Sequence, residues 1–574
     1  MSLKTSISNA EGNSKIRNTD QPAVRLPNVH AAAYDSGDDQ HLSFCQDGTR
    51  VELLKEVTGW IYGSHEETIL WINGPAGIGK STVSRTVAHM CDGMGVLGAS
   101  YFFRRGEDAR SDPLRIIPTL ATQLAATVPG FGKALRKSLD DPRNEGIESK
   151  NIKKQSEALL LTPTRGAIKA NSTTTSSRPM LTVIVIDALD ECEGDPGVHQ
   201  GLLKALATLG SIDGVRFRVV LTSREAHEVD AAINQDIPQR AWRALPLHKK
   251  FQEQTEVDIS RFFEAQFERI ARKKNIRETW PSASDLERVI ELANTPSPLF
   301  IYAATLCRYI YKGDGRKNPK RLLHDWLRQV DNNASQLDQI YMPILDYVFF
   351  GRHKDTDEPD PLNEEEQLQL RQLLSALVIL GTPLTPQAIS DLLEIPLDDT
   401  DHYLCNLHAV VHLPEDPDMP VRLFHQSFRD FLVAEGKGRE FFHVDEREAN
   451  RWLAQDCLRV MRSLLKQDIC NIKDPGILRH EIADEAVENH IPQHLRYACC
   501  FWLHHETILH VAEVREFVYT HLLHWIECLA ILGKYRDCLE LLEHLLDKCR
   551  VSAQLVYLKR KRMRCRLFFF LIPF

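Results

Sequence analysis

The fold depends on one stretch of sequence, Gly74-Pro75-Ala76-Gly77-Ile78-Gly79-Lys80-Ser81. It fits the pattern G-x-x-x-x-G-K-[ST], follows the apolar run TILWIN at 68–73, and opens a helix-like stretch. Glycines let successive backbone N–H groups turn inward around phosphate oxygens, and the N-terminus of the next helix adds further donors and a partial positive charge. The stretch therefore predicts a phosphate-binding loop between a strand and a helix.

The chemistry of such a loop assigns a task to its last residues. Lys80 is predicted to reach the β- and γ-phosphates of a nucleotide, and the Ser81 hydroxyl is predicted to ligate Mg²⁺. The predicted nucleotide-binding residues are Gly74, Pro75, Ala76, Gly77, Ile78, Gly79, Lys80, Ser81 and Thr82.

A second marker is the run VIVIDALDEC at 183–192, an apolar strand that ends in carboxylates. Asp187 stands at the strand end, where a carboxylate can hold Mg²⁺. Asp190 and Glu191 follow closely enough to orient or deprotonate an attacking water. Both are candidate catalytic acids, and the sequence does not decide between them.

The run RFRVVL at 216–221 ends in Thr222-Ser223-Arg224. An arginine at the tip of the strand beside the acidic strand is positioned to sense a γ-phosphate. Arg224 is therefore predicted to bind nucleotide, with a plain surface arginine as the alternative.

Strand-like and helix-like runs alternate from 68 to 247, which predicts parallel βαβ units and an α/β fold. The run VIVI is apolar on both faces, as expected for a central strand covered by helices on each side. Residues 164–179 are polar and rich in Ser and Thr, which predicts a flexible surface loop.

The rest of the chain is predicted to be mainly helical. Between 362 and 441 three helix-like stretches precede a hairpin-like pair of runs, VVHL and VRLFH, which are the parts of a winged helix. The predicted domains are a disordered tail at 1–40, a nucleotide core at 41–250, a helical domain at 251–355, a winged helix at 356–445 and a helical extension at 446–574.

Composition excludes some classes of protein. The 574 residues carry 70 Lys plus Arg and 79 Asp plus Glu, a formal charge of −9, which gives no electrostatic reason to expect a nucleic-acid partner. The sequence has no stretch of about 20 apolar residues, so we expect no transmembrane segment. The N-terminus lacks the apolar core of a secretory signal, so we expect a cytoplasmic protein.

Taken together, these motifs resemble the NACHT family of P-loop NTPases, in the form found in fungal incompatibility-type and nephrocystin-like proteins. The matching segments are GPAGIGKS, VIVIDALDEC and LTSR, with CQDGTRVELLKEVTGW at 45–60, SYFFRRG at 100–106, ANTPSPLFIYAATLCRYI at 293–310 and FHQSFRDFLV at 424–433. The resemblance covers roughly 41–445.

The resemblance implies a core of five parallel strands, a small helical domain and a winged helix that closes over the nucleotide. It implies Mg²⁺ with ATP or ADP, with GTP as the less favoured nucleotide, and slow hydrolysis. It further implies a closed ADP state, an open ATP state that forms a homo-oligomer, and a protein partner in incompatibility or innate-immunity-like signalling.

Two further site residues come from the resemblance alone. In relatives a winged-helix histidine contacts the β-phosphate, and His425 is similar in position. A proline packs on the adenine, and Pro298 is the candidate, although the fungal branch usually has Gly-Leu-Phe where this chain has Ser297-Pro298-Leu299-Phe300.

Two other functions remain open on the sequence. One is a motor ATPase of the AAA type, for which Arg104 or Arg105 would have to supply an arginine finger to a neighbouring subunit. The other is a scaffold that no longer uses nucleotide. The basic and apolar ending at 559–574 fits a membrane-contact tail, a nuclear signal or an incomplete chain, and we expect neither an effector domain nor intact repeats.

Overall fold

The structure is a computed structural model, and it describes residues 26–39, 44–171, 179–194, 196–225, 227–312, 318–329, 334–350, 362–435, 441–473, 477–505 and 511–534. The first 25 residues of the predicted tail and the basic and apolar ending at 559–574 lie outside the described residues.

Within the described residues, one sheet of five parallel strands forms the centre of the N-terminal half. Its strands are β1 (Ile69–Asn73), β2 (Leu97–Phe102), β3 (Met180–Asp187), β4 (Val215–Ser223) and β5 (Trp242–Pro246), in the order β2-β3-β4-β1-β5. The α/β fold and the five-stranded parallel sheet predicted from the sequence are confirmed. The register pairs Asn73 with Ser223 and Phe102 with Asp187, so the polar strand ends meet at one edge of the sheet.

The central strand β3 is covered on both faces. Ile184 and Ile186 belong to one hydrophobic cluster, whereas Val183 and Val185 belong to another, as the alternation of side chains along a strand requires. The α-helices of this half of the chain are Val51–Tyr62, Lys80–Gly93, Asp108–Ser111, Pro113–Thr127, Phe131–Leu139, Ile152–Ser156, Thr162–Asn171, Pro196–Leu209, His227–Asp236 and Leu247–Lys250.

The prediction of a flexible loop at 164–179 is wrong for its first half, because Thr162–Asn171 is a helix. Small residues allow this helix to pack closely. A Cβ atom on Gly166 would lie 2.9 Å from the Cβ of Ala134, and Thr164 is buried with its hydroxyl bonded to the Leu160 carbonyl. The Ser- and Thr-rich composition concealed this packing because small buried residues and loop residues are of the same types.

The prediction of a disordered tail at 1–40 is wrong for residues 26–39, which pack on the core. Val29 and Tyr34 are buried, and their backbone N–H groups donate to Thr119 and Ser100 at 3.1 and 3.0 Å. The segment is polar on average, and this average concealed a few apolar side chains that pack against the core.

Helices then follow without a further large sheet in the described part of the chain. They are Gln252–Lys273, Ala283–Asn294, Phe300–Lys312, Pro319–Gln329, Gln336–Phe350, Glu364–Ile379, Pro386–Leu393 and Leu397–Asn406. The antiparallel strands β6 (Val411–His412) and β7 (Arg422–Leu423) form a hairpin, and the helix Gln426–Val433 follows it. This order of elements agrees with the one predicted for a winged helix. Thr385 caps the helix Pro386–Leu393, since its side chain accepts from the Ala388 N–H.

The C-terminal helices are Glu446–Leu464, Asp484–His490, Gln493–His505 and Val511–Ile531. One hydrophobic cluster runs from Ile259 to Ile531, so the predicted helical domain, winged helix and extension share a core, and the limits between them stay predictions. Among the described helices, none combines the length and the apolar character that a membrane crossing needs.

Candidate nucleotide-binding site

The glycine-rich loop lies between β1 and the helix Lys80–Gly93, where the sequence predicted it. Gly77 and Gly79 have φ angles of +81° and +98°, in the left-handed region that favours glycine. The Lys80 Nζ donates to the Gly74 and Pro75 carbonyls at 2.7 and 2.9 Å. The lysine therefore lies across the mouth of the loop.

Burial lowers the pKa of Lys80, and the charge of Asp190 opposes that effect. A desolvated ammonium group interacts more strongly with an anion than a hydrated one does. The position and surroundings of Lys80 thus suit a phosphate ligand.

Asp187 and Thr222 lie side by side at the ends of β3 and β4. The Thr222 hydroxyl donates to the Asp187 Oδ1 at 2.5 Å and accepts from the Ala188 N–H at 3.0 Å. No described residue donates to the Asp187 Oδ2. Ser81 and Asp187 both line the same cavity, and a hydroxyl with a carboxylate is the hard oxygen donor set that Mg²⁺ prefers. These two side chains therefore fit the predicted metal.

Asp190 and Glu191, which the sequence left as equal candidates, differ in their contacts. Both oxygens of Asp190 face Arg224, one accepting from its N–H at 2.9 Å and the other 3.2 Å from its Nε. Among the described residues, Glu191 accepts only from the Arg105 N–H, at 3.1 Å. Burial, with the charge of Asp190, raises the pKa of Glu191 to about 7. A carboxyl with this pKa can exchange a proton near neutral pH, and the catalytic role of Glu191 stays a prediction.

Arg224 lines the cavity, and two carboxylates hold its guanidinium, while its contact with a nucleotide stays a prediction. Besides Asp190 it contacts Asp430 of the helix Gln426–Val433, with 2.6 Å between Nη1 and Oδ2. The arginine thus connects the end of β4 to the element that follows the hairpin.

His425 also lines this cavity and caps the helix Gln426–Val433. Its Nδ1 accepts from the Ser427 N–H at 3.0 Å, so in the neutral ring the proton is on Nε2. Burial lowers its pKa to about 3, and the charges of Arg224 and Lys80 add to that effect. His425 is therefore a neutral hydrogen-bond donor at neutral pH.

Pro298 is buried but does not line the cavity. Phe300 and Ile301, which follow it, do. The Ile301 N–H donates to the Gly77 carbonyl at 3.0 Å, and a Cβ on Gly77 would lie 2.4 Å from the Ile301 Cγ2. This segment therefore packs against the loop, while the adenine contact of Pro298 stays a prediction.

Sequence reasoning missed the role of Arg50. Its side chain donates to the Ile78 carbonyl at 2.5 Å and to Thr255 at 2.7 Å, and its guanidinium lies over the Phe300 ring. Arg50 thus holds the glycine-rich loop against the helices that follow the sheet. The triplet Gly-Thr-Arg before the first helix was the available signal.

Asp39 was missed as well, because it falls in the predicted tail. It is 1% exposed and forms ion pairs with Arg85, Arg104 and Arg110, at 3.2, 3.2 and 2.9 Å. Glu107 pairs with the last two arginines and with Arg422 of β7. No local signal links residues so far apart in the sequence.

The cavity among these elements has a volume of about 750 Å³. In the described part of the chain ten lysine and arginine side chains line it, against five carboxylates: Asp39, Glu107, Asp187, Asp190 and Glu191. This local excess of positive charge is opposite in sign to the formal charge of −9 of the whole chain. The cavity is thus electrostatically suited to a polyanion such as a nucleotide.

The fold and the loop define a P-loop NTPase domain. Residues 48–224 match the family model described as Nephrocystin 3, N-terminal. This part of the chain is a nephrocystin-like P-loop NTPase domain, which confirms the predicted resemblance there.

Two solved structures share features with the chain. One is a STAND protein (signal transduction ATPase with numerous domains) with a tetratricopeptide repeat sensor from Pyrococcus horikoshii, at 12% identity and a TM-score of 0.36. The match covers 88% of this chain and 64% of that protein. The Drosophila ORC bound to DNA has 12% identity and a TM-score of 0.25 over 68% of this chain and 97% of the other. No curated protein matches the sequence at a significant level.

Proposed function

We propose that this chain is a nucleotide-dependent signalling switch of the NACHT and STAND class, which binds ATP with Mg²⁺ and hydrolyses it slowly. The observation that carries the proposal is the position of Arg224. It lies at the nucleotide cavity and contacts Asp190 of the core and Asp430 beyond the hairpin at the same time. A residue held from both sides can transmit the state of the nucleotide to the C-terminal helices.

The proposed reaction uses the groups described above. The loop N–H groups and Lys80 bind the phosphates, while Ser81 and Asp187 hold the metal. Mg²⁺, when bound, neutralises charge on the β- and γ-phosphates. Glu191 accepts a proton from the water that attacks the γ-phosphorus, the bond from that phosphorus to the β–γ bridging oxygen breaks, and ADP and phosphate result.

The proposed switch depends on contacts between the core and the later elements. Ile301 contacts the loop at Gly77, and Arg422 of β7 pairs with Glu107 of the core. A γ-phosphate that attracts Arg224 competes with Asp430 for the same guanidinium. We therefore assign the arrangement described here to the closed, ADP-type state, and propose that ATP releases the hairpin and its following helix and permits homo-oligomerisation.

The contacts of two arginines argue against a motor ATPase. Arg104 is 17% exposed and pairs with Asp39 and Glu107, while the Arg105 side chain donates to the Asp190 carbonyl. Both arginines are thus engaged by groups of their own chain, which supports the switch rather than the motor. The hairpin has two possible roles, a lid that closes within the chain and a contact with nucleic acid. The pairing of Arg422 with Glu107 supports the lid. Cytoplasmic signalling through a protein partner is part of the proposal.

Thermal unfolding with Mg²⁺ and ATP, ADP or GTP tests the binding step. A ligand at about 100 times its Kd stabilises the folded state by about 2.7 kcal/mol. We expect ATP and ADP to raise the melting temperature more than GTP does. If no nucleotide changes it, the scaffold alternative replaces the switch.

Steady-state kinetics and light scattering test the switch itself. We expect turnover well below about 1 s⁻¹ and a larger particle with a non-hydrolysable ATP analogue than with ADP. Sustained faster turnover without any added partner would support the motor alternative instead.

A further inference from the structure

Arg308 lies on the helix Phe300–Lys312 and lines the nucleotide cavity, yet neither the loop motif nor the family resemblance gave it a role. Its guanidinium donates to the Ala304 carbonyl at 3.2 Å and to the Thr305 hydroxyl at 3.5 Å. No described carboxylate lies within the 4.0 Å that defines an ion pair with it. Arg308 thus has a charge that the described protein does not neutralise by a direct ion pair.

The guanidinium of Arg308 is fixed in place by an aromatic ring. Its central carbon lies 4.2 Å from the centroid of the Phe424 ring. Phe424 directly precedes His425 in the sequence. Contact with a ring face restrains the guanidinium, and because Nε and Nη2 donate to Ala304 and Thr305, the edge formed by Nη1 and the second Nη2 hydrogen is left for another acceptor. Arg308 therefore presents a preorganised planar donor edge.

Arg308 lines the same cavity as Lys80 and Arg224, the predicted phosphate-binding residues. Burial first, and then the charges of Arg224, Lys80 and Arg308, lower the pKa of His425 to about 3. The charges of Arg308 and Lys80 thus both act on the His425 ring. In glycine-rich loops of this kind the lysine binds phosphates. Burial also lowers the pKa of Arg308 itself to about 10, so it remains charged at neutral pH.

We propose that Arg308 binds the terminal phosphate of a nucleoside diphosphate in the cavity that it lines together with Lys80. The inference rests on the proposed function, because it assumes a nucleotide at Lys80. A partly buried guanidinium without a carboxylate gains most from an anion, and its planar edge matches phosphate oxygens. Since Arg308 stacks on Phe424, the bound phosphate also links the helix Phe300–Lys312 to the hairpin.

The test compares the full chain with three variants, R308Q, R308K and the control R288Q, in calorimetric titrations with ADP and with AMP. Arg288 lies on the neighbouring helix and pairs with Glu291 outside the cavity. We expect R308Q to weaken ADP binding at least ten-fold, which corresponds to about 1.4 kcal/mol, and AMP binding less than three-fold. R308K should fall between R308Q and wild type, because lysine retains the charge but lacks the planar edge. R288Q should match wild type.

The outcomes separate this inference from the function on which it rests. If wild type binds no nucleotide, the proposed function fails. If wild type binds ADP and R308Q binds it equally well, only the role of Arg308 is refuted. An equal loss for ADP and AMP also refutes it, because the residue would then act on the nucleoside or on the fold. If R308Q does not fold, the ADP-to-AMP affinity ratio of R308K decides instead.

Discussion

Arg224 and Asp430 are 206 positions apart in the sequence, and their side chains meet at 2.6 Å. Burial alone would lower the pKa of Arg224, but Asp430 and Asp190 raise it, so the arginine is firmly charged. The side chains are 31% and 32% exposed, so water competes for both partners and the pair contributes on the order of 1 kcal/mol. A contact of that strength can hold a closed state and still yield to a phosphate.

Asp430→Asn should loosen this closed state. Removing one charge weakens the contact by about 1 kcal/mol, so we expect ADP to dissociate about five-fold faster. Stopped-flow release of a fluorescent ADP analogue measures this rate.

The matched control for that change is Asp484→Asn, which removes an exposed ion pair with Arg479 far along the chain from the cavity. The control should release ADP at the wild-type rate. Unchanged release in Asp430→Asn would show that the Arg224 contact does not retain the nucleotide.

Lys80→Ala should abolish the stabilisation by nucleotide. The variant removes the ammonium group that bridges the loop carbonyls and the predicted phosphates, so the stabilisation of about 2.7 kcal/mol at 100 times the wild-type Kd should disappear. Differential scanning calorimetry with ADP measures it. Lys133→Ala, at an exposed position on the helix Phe131–Leu139, serves as the control and should keep the full shift.

Glu191→Gln should slow hydrolysis by about 100-fold or more while leaving ATP binding intact. Because the pKa of Glu191 is raised to about 7, the carboxylate base is lost as the pH falls through 7. Wild-type turnover should therefore rise with pH across that value and level off above it, and the variant should lose this dependence.

Phosphate release at several pH values measures both effects. The exposed neighbouring change Glu193→Gln is the control and should hydrolyse ATP at the wild-type rate. Equal hydrolysis by wild type and Glu191→Gln would move the role of the base to Asp190.

Asp39→Asn should destabilise the fold strongly. The change leaves Arg85, Arg104 and Arg110 without their shared carboxylate, and removing one partner of a buried ion pair costs about 3–5 kcal/mol. Urea unfolding measures this, with the exposed change Asp35→Asn as control. A difference below about 1 kcal/mol would mean that the arginines find other partners.

The stabilities of wild type and Asp39→Asn should also depend differently on pH in acid. Burial alone would raise the pKa of Asp39, but Arg110 and the other arginines lower it well below its usual range. A lowered folded-state pKa contributes stability that is complete above the unfolded-state pKa and is lost as the pH falls. The stability difference between wild type and Asp39→Asn should therefore shrink below about pH 4.

The short motifs could be predicted because their chemistry is local. A glycine-rich loop between a strand and a helix, and a strand that ends in Asp187, need only neighbouring residues and the parallel sheet to form. Composition failed at 26–39 and at 164–171, because a few small or apolar side chains decide burial there and an average over the segment hides them.

The sequence by itself therefore determined the α/β class, the phosphate-binding loop and the acidic strand end, since each follows from residues close together in the chain. Only the tertiary structure decided which carboxylate of Asp190 and Glu191 is engaged by Arg224. It also decided that Asp39 forms ion pairs with three arginines and that Arg308 lies over the Phe424 ring. Those relationships are ion pairs and stacking contacts that act over a few ångströms. Their partners are distant in the chain, and folding alone brings them within that range.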